Sequence, residues 1–142
     1  MTSLSFPDVN VWLALATHEH VHHRVAREWW KKETGRITFS RITQIGFLRL
    51  MTTAGAMGGK PLTMAEAWLI HDRFFDDDRV TFVPEPPAVE THFRQDSSTG
   101  TASPKLWADA WLLAFAQAEK GTLVTFDRTL AVRGAHCLLP GT

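Results

Sequence analysis

Short runs of alternating apolar residues repeatedly give way to longer segments with apolar positions three and four apart, the pattern of strands feeding into helices. Leu4 and Phe6 precede Pro7 and Asp8, and Val9, Val11, Trp12, Leu13 and Leu15 then suit a strand running into a buried helix. Val21, Val25, Trp29 and Trp30 space a second helix over His20 to Thr34, with Lys31 and Lys32 near its C-terminal end and Gly35 as its stop. Ile37 to Ser40 reads as a strand. Ile42, Ile45, Phe47 and Leu48 support a helix over Thr43 to Met51, broken by the glycines and proline between Gly55 and Pro61.

Thr63 followed by Glu66 has the spacing of a capping box, so the next helix is expected from Met64 to about Phe75. Val80 to Val83 is a short strand ended by Pro84, Pro86 and Pro87, and a brief helix over Val89 to Gln95 precedes a polar loop from Asp96 to Ser103. Leu106 to Lys120 is an Ala- and Leu-rich helix with Pro104 ahead of it and Gly121 behind. Leu123 to Phe126 is a buried strand ending at Asp127, followed by a helical turn through Leu130 and Val132 and an edge strand at Cys137 to Leu139. The alternation of strand and helix predicts the α/β class, a central mostly parallel sheet with helices on both faces. Without an internal repeat or a dividing linker, residues 1–142 are expected to form one domain.

Composition narrows the classes. Hydrophobic residues make up 44% and charged residues 21%, which excludes a disordered chain, and 15 basic against 15 acidic side chains exclude a uniformly basic coat. The charge is uneven, however. Residues 1 to 71 carry 8 basic and 5 acidic side chains, residues 72 to 142 carry 7 and 10, so the halves stand at +3 and −3. Cys137 is the sole cysteine, which rules out an intramolecular disulfide and a Cys-based zinc cluster and fits a reducing compartment. The apolar run Val11 to Ala16 is too short to span a bilayer and lacks the basic flank of a signal peptide, so the expected location is the cytoplasm, with no membrane partner.

Three aspartates stand out. Asp8 and Asp127 follow predicted strands, at the edge where α/β sheets bind ligands. Asp109 shares its helix face with Leu106, Leu112, Leu113 and Ala116, which should be buried, and a buried carboxylate needs a partner or a metal. Singly, each has an ordinary reading: Asp8 caps the following helix, Asp109 pairs with Lys105, Asp127 caps the last turn. Together they bring like charges to one sheet edge, where a cation is needed to hold them ionised. An oxygen-rich cluster favours Mg²⁺, with Mn²⁺ as a substitute, and such ions suit phosphodiester chemistry.

These motifs carry a resemblance. The Asp8-Val-Asn-Val-Trp-Leu-Ala-Leu opening, the Thr43-Gln-Ile-Gly-Phe-Leu-Arg49 segment, Ala108-Asp-Ala-Trp-Leu-Leu-Ala114 and Thr125-Phe-Asp-Arg-Thr-Leu-Ala131 resemble, in order and spacing, a PIN-domain ribonuclease of the VapC toxin family. The resemblance implies a PIN-like three-layer sandwich and a Mg²⁺-dependent endoribonuclease toxin that cuts RNA by metal-activated water, leaving a 5′-phosphate and a 3′-hydroxyl. It also implies a cognate VapB-like antitoxin and a homodimer. By position, Asp8, Asp109 and Asp127 match the family's metal-binding acids, while its fourth acid falls on Gln44, whose amide brings no negative charge. Gln44 joins the three aspartates as a candidate catalytic residue, and Asn10 and Thr125 are candidates for supporting them. The alternative is a catalytically weak or inactive module on the same fold that binds RNA or a partner without cutting.

Arg49, Lys105 and Arg128 lie close to these motifs and are the candidate phosphate contacts. His18, His20, His22 and His23 crowd together, and His18 with His22 has the spacing of a helical metal pair, but a solvated helix start explains them adequately. Trp12, Trp29, Trp107 and Trp111 sit in apolar patterns that suit a core or a dimer contact. The Asp76-Asp77-Asp78 run reads as a solvated helix end.

Overall fold

The computed structural model describes residues 3–140. Its strands are β1 (Leu4–Pro7), β2 (Arg36–Phe39), β3 (Val80–Phe82), β4 (Thr122–Thr125) and β5 (His136–Cys137), and its helices are α1 (Val9–Ala16), α2 (His23–Lys32), α3 (Arg41–Met51), α4 (Met64–Phe74), α5 (Val89–Ser97), α6 (Leu106–Ala118) and α7 (Arg128–Ala131). The strands form one sheet in the order β3-β2-β1-β4-β5, and every adjacent pair runs parallel.

Alternating strand side chains feed two cores. Val124 enters the core built with α1 to α4, where Trp12, fully buried, stacks on Phe39 at 3.8 Å. Its neighbour Leu123 enters the other core, with Phe6, the buried face of α6, and Val89 at the start of α5. The result is the expected three layers, with the sheet in the middle. Among the described residues no helix is long and apolar enough to cross a membrane.

Local chemistry sets the boundaries. At α3 the Ser40 hydroxyl accepts from the Thr43 N–H and the Thr43 hydroxyl from the Ser40 N–H; Thr63 and Glu66 close the same box at α4. Helix α6 stops differently from the expectation, because Lys120 takes the left-handed turn (φ 56°) and Gly121 is there for lack of space: a Cβ would strike Phe6 and the Leu4 carbonyl. Helix α2 begins at His23, three residues later than the pattern suggests, since residues 17–22 form turns. Helix α5 extends to Ser97, into the expected loop, and the Ser97 and Ser98 hydroxyls donate to the carbonyls of Phe93 and Arg94.

Pro7 sits in the central strand without leaving a broken ladder. Alternate residues bond to opposite neighbours, and the Asp8 N–H goes to the Val124 carbonyl of β4, so Pro7 would donate towards β2. The β1–β2 pairing has already ended at Ser5 and Ile37.

Candidate active site

Chain order makes the site. After β1 the chain goes to β2 on one side, and β4 later fills the other, so the order reverses between β1 and β4 and a crevice opens at their C-terminal ends. Asp8 follows β1 and Asp127 lies two residues beyond β4, while α6, which leads back into β4, presents Asp109 in its first turn at the same edge.

Asp8 is the fixed member. It caps α1, with one carboxylate oxygen accepting from the Val11 N–H at 3.1 Å and the other from the Thr125 hydroxyl at 2.5 Å. Thr125, with no exposed surface, in turn accepts from the Asp127 N–H at 3.0 Å, so one hydroxyl ties the first acid to the backbone of the third. Asp127 caps α7 and accepts from both the N–H and the hydroxyl of Thr129. Asn10 contributes its main-chain N–H to Asp8, and its side chain is exposed.

The electrostatics are those of a cluster only partly compensated. Burial pushes Asp8 above the ordinary carboxylate range against the pull of the Thr125 hydroxyl and the Val11 N–H, and the charge of Asp109 pushes the same way. Burial also raises Asp109, the charge of Asp127 adds to it, and Arg133 opposes both. The cation acting on Asp109 is therefore Arg133, where the spacing had suggested Lys105. Arg133 sits just after α7 with a guanidinium N–H towards the Asp96 carbonyl at 3.4 Å. Only a basic residue six positions after Asp127 hinted at it in sequence.

Among the described residues no three His, Cys, Asp or Glu side chains are preassembled as a metal cage. The donor set nonetheless fits a hard cation in charge and chemistry: three carboxylates at one edge, two destabilised as anions, with Asp8 anchored and Asp109 and Asp127 accessible enough to turn.

Gln44 is placed differently. It is 8% exposed, and its amide oxygen accepts from the Arg41 guanidinium at 2.5 Å while its nitrogen faces His71 Nε2 at 3.3 Å. Arg41 has only donors, so the orientation follows: Gln44 donates to His71 Nε2, the His71 proton lies on Nδ1, and that N–H donates to Asp72 at 2.9 Å. The four side chains form one continuous run of hydrogen bonds.

The basic candidates also separate. Lys105 occupies the exposed position just before α6, one turn from Asp109. Arg128 donates to the Pro140 carbonyl at 2.9 Å. Arg49 lies down α3 in a groove shared with Ile45, Leu48, Met64 and Trp68. Of the tryptophans, Trp12, Trp29 and Trp111 are core residues, but Trp107 is 59% exposed. His18 packs against His23 at 4.6 Å, and His20 against His22 at 5.8 Å.

Comparison with known proteins agrees with the fold. A model of the PIN domain matches residues 5–134 of the chain. The chain is 42% identical to Ribonuclease VapC41 of Mycobacterium tuberculosis, over 89% of this chain and 91% of that protein. Among solved structures, that of Mycobacterium tuberculosis VapC20, described as a sarcin-ricin loop cleaving toxin, superimposes with a TM-score of 0.67 at 15% identity, covering 96% of this chain and 99% of that one. VapBC2 from Rickettsia felis, bound to a DNA fragment from its promoter, gives a TM-score of 0.59 at 12% identity over 91% and 92% of the two chains.

Proposed function

The chain belongs to the PIN-domain family, in its VapC branch, and from that premise we propose that it is an endoribonuclease toxin, dependent on Mg²⁺ and restrained by a VapB-like antitoxin. The observation that carries the reading is the convergence of Asp8, Asp109 and Asp127 at the β1/β4 switch point, two of them held above the ordinary carboxylate range.

Asp8, Asp109 and Asp127 are the residues to hold the ion. A bound Mg²⁺ or Mn²⁺ would supply an acidified water and a positive charge against the phosphodiester. The chain's own residues do the rest. Thr125 and the N–H groups of Val11 and Asn10 fix Asp8, so one carboxylate is oriented before substrate arrives. Asp109 stands at the N-terminal end of α6, where the helix dipole favours negative charge, and Arg133 restrains its repulsion from Asp127. Lys105 and Arg128 flank the acids as contacts for the RNA backbone, while Arg49, in the α3/α4 groove, is a more distant one.

The purified protein is expected to cut RNA in Mg²⁺ and to lose that activity in EDTA and on Asp109→Asn. Cleavage surviving either change overturns the reading. The site of action is the cytoplasm, where RNA and antitoxin meet.

One observation favours a second reading. Gln44 stands where the family places a fourth acid, and its amide is already used by Arg41 and His71. A weak or inactive module that binds RNA or a partner is then the alternative, with RNA binding that survives Asp8→Asn and no turnover at any Mn²⁺ concentration.

The homodimer expected from the family has support in the exposed apolar residues Ile42, Ile45, Met64, Trp68 and Leu69 on α3 and α4. Light scattering should return about twice the 16.0 kDa chain mass, and Ile45→Glu should halve it. A monomer in the unsubstituted protein removes this element.

A further inference from the structure

Beside the acids, three rings from two chain segments meet. Phe126, between Thr125 and Asp127, has the His22 ring at 4.7 Å and the His20 ring at 6.2 Å, the latter within 27° of parallel. All three are half-buried, so each keeps surface towards solvent, and Val21 between the histidines is 83% exposed. The segment carrying them is held in place. The His22 N–H donates to His20 Nδ1 at 3.0 Å, His23 Nδ1 donates to the Ala14 carbonyl at 2.7 Å, and His18 packs on His23.

We propose that Phe126, His20 and His22 form a stacking platform for an unpaired base of the RNA, adjacent to the phosphodiester held at the acid edge. The proposal rests on the ribonuclease reading and adds a binding subsite to it. Aromatic and imidazole faces stack on any base, which gives affinity without a hydrogen-bond code. A position one residue from Asp127 sets the stack beside the reacting phosphate. The preordered loop lowers the cost of binding, because the rings need not be fixed when the base arrives. Burial and the neighbouring His22 and His23 hold His20 below its ordinary value, so its ring is neutral at neutral pH and suited to stacking, not to an ion pair with phosphate.

The full chain carrying Asp109→Asn, which binds without cutting, is titrated with short single-stranded RNAs that each hold one 2-aminopurine, a base whose fluorescence falls when it stacks. Quenching on binding is expected. Adding His20→Ala and His22→Ala should weaken binding by roughly tenfold and remove the quench. His20→Phe with His22→Phe should keep both, and His20→Lys with His22→Lys should lose the quench. In the cleaving protein the alanine pair should raise KM more than it lowers kcat. Unaltered affinity and quench in the alanine pair overturn the platform, as does rescue by lysine and not by phenylalanine, which would mark a phosphate contact. An unsubstituted protein that never cleaves in Mg²⁺ overturns the ribonuclease reading instead, and the quench still reports on the platform.

Discussion

The two edges of the sheet treat aspartate in opposite ways. At the C-terminal edge, Asp8 and Asp109 are pushed up by burial and by like charge, with Arg133 the opposing cation. At the N-terminal edge, Asp77 takes both arms of the Arg79 fork, at 3.0 and 2.8 Å, and is pulled below the ordinary range by that bond. Arg79 also donates to the carbonyls of Trp30 and Glu33 and lies over the Trp30 ring, so the pair clips the end of α2 to the start of β3. One edge carries carboxylates at a cost in stability, and the other uses the same residue type to hold the fold. Strain gathered where ligands bind, with satisfied polar groups elsewhere, is the usual division between site and scaffold.

The largest test of that division is Asp109→Asn. Cleavage should fall by about a hundredfold or more, as when a charge-stabilising group is taken from a reaction site, while the metal-free protein should melt slightly higher because a repelled carboxylate is gone. Mg²⁺ should raise the melting temperature of the unsubstituted protein and leave the variant nearly unmoved. A variant that melts lower without metal would place Asp109 on the scaffold side.

Next comes Arg79→Ala, which should lower stability by about 2 kcal/mol in urea unfolding, since it takes the side-chain donor from two carbonyls and leaves the half-buried Asp77 carboxylate only the main-chain N–H of residue 79. Activity per folded molecule should be unchanged. A loss of kcat in the folded fraction would show that the two edges are coupled.

Smaller, and opposite in sign at the two edges, is the effect of pH on the metal-free protein. Asp8 and Asp109 have raised values, so their share of stability is fullest below the ordinary carboxylate pKa of 3.8 and is lost as pH rises through their folded values. Asp77 has a lowered value, so its share is present above 3.8 and is lost as pH falls through its folded value. Asp77→Asn should therefore flatten the acid-side decline in melting temperature, and Asp109→Asn should steepen the net decline. Equal profiles for the two variants would erase the distinction.

What the sequence carried and what it did not follow the same physics. Most strand and helix limits fell within a residue or two because they rest on local signals: the buried apolar run at Leu123 and Val124, the Thr63–Glu66 box at α4. Asp8 and Asp127 were legible because strand ends in a parallel sheet point at one edge, and Asp109 because its carboxylate shares a helix face with apolar residues. The role of Asp77 was not, and a solvated helix end was expected, because the carbonyls that anchor Arg79 come from Trp30 and Glu33, more than forty residues earlier. Arg133 opposite Asp109, and the meeting of His20 and His22 with Phe126, likewise depend on which loops the sheet order brings together.

Gln44 offers the finest test, because it follows β2 at the same end of the sheet as the acids yet behaves as scaffold. Its amide can satisfy Arg41 and a neutral His71 at once only because one end accepts and the other donates. A glutamate there accepts at both ends. Arg41 would keep its partner, but His71 Nε2 would face an acceptor and would have to gain a proton, with Asp72 on its other nitrogen to support the charge. Gln44→Glu should therefore move the His71 ring signals by NMR, with Mn²⁺ affinity changing by well under the roughly tenfold typical of lost partners around metal ligands. A large gain in Mn²⁺ affinity with new activity would mean that the side chain leaves Arg41 and His71 for the ion. In that case the neutral amide, and not the three aspartates, limits the site, and the weak-module reading gains over the toxin.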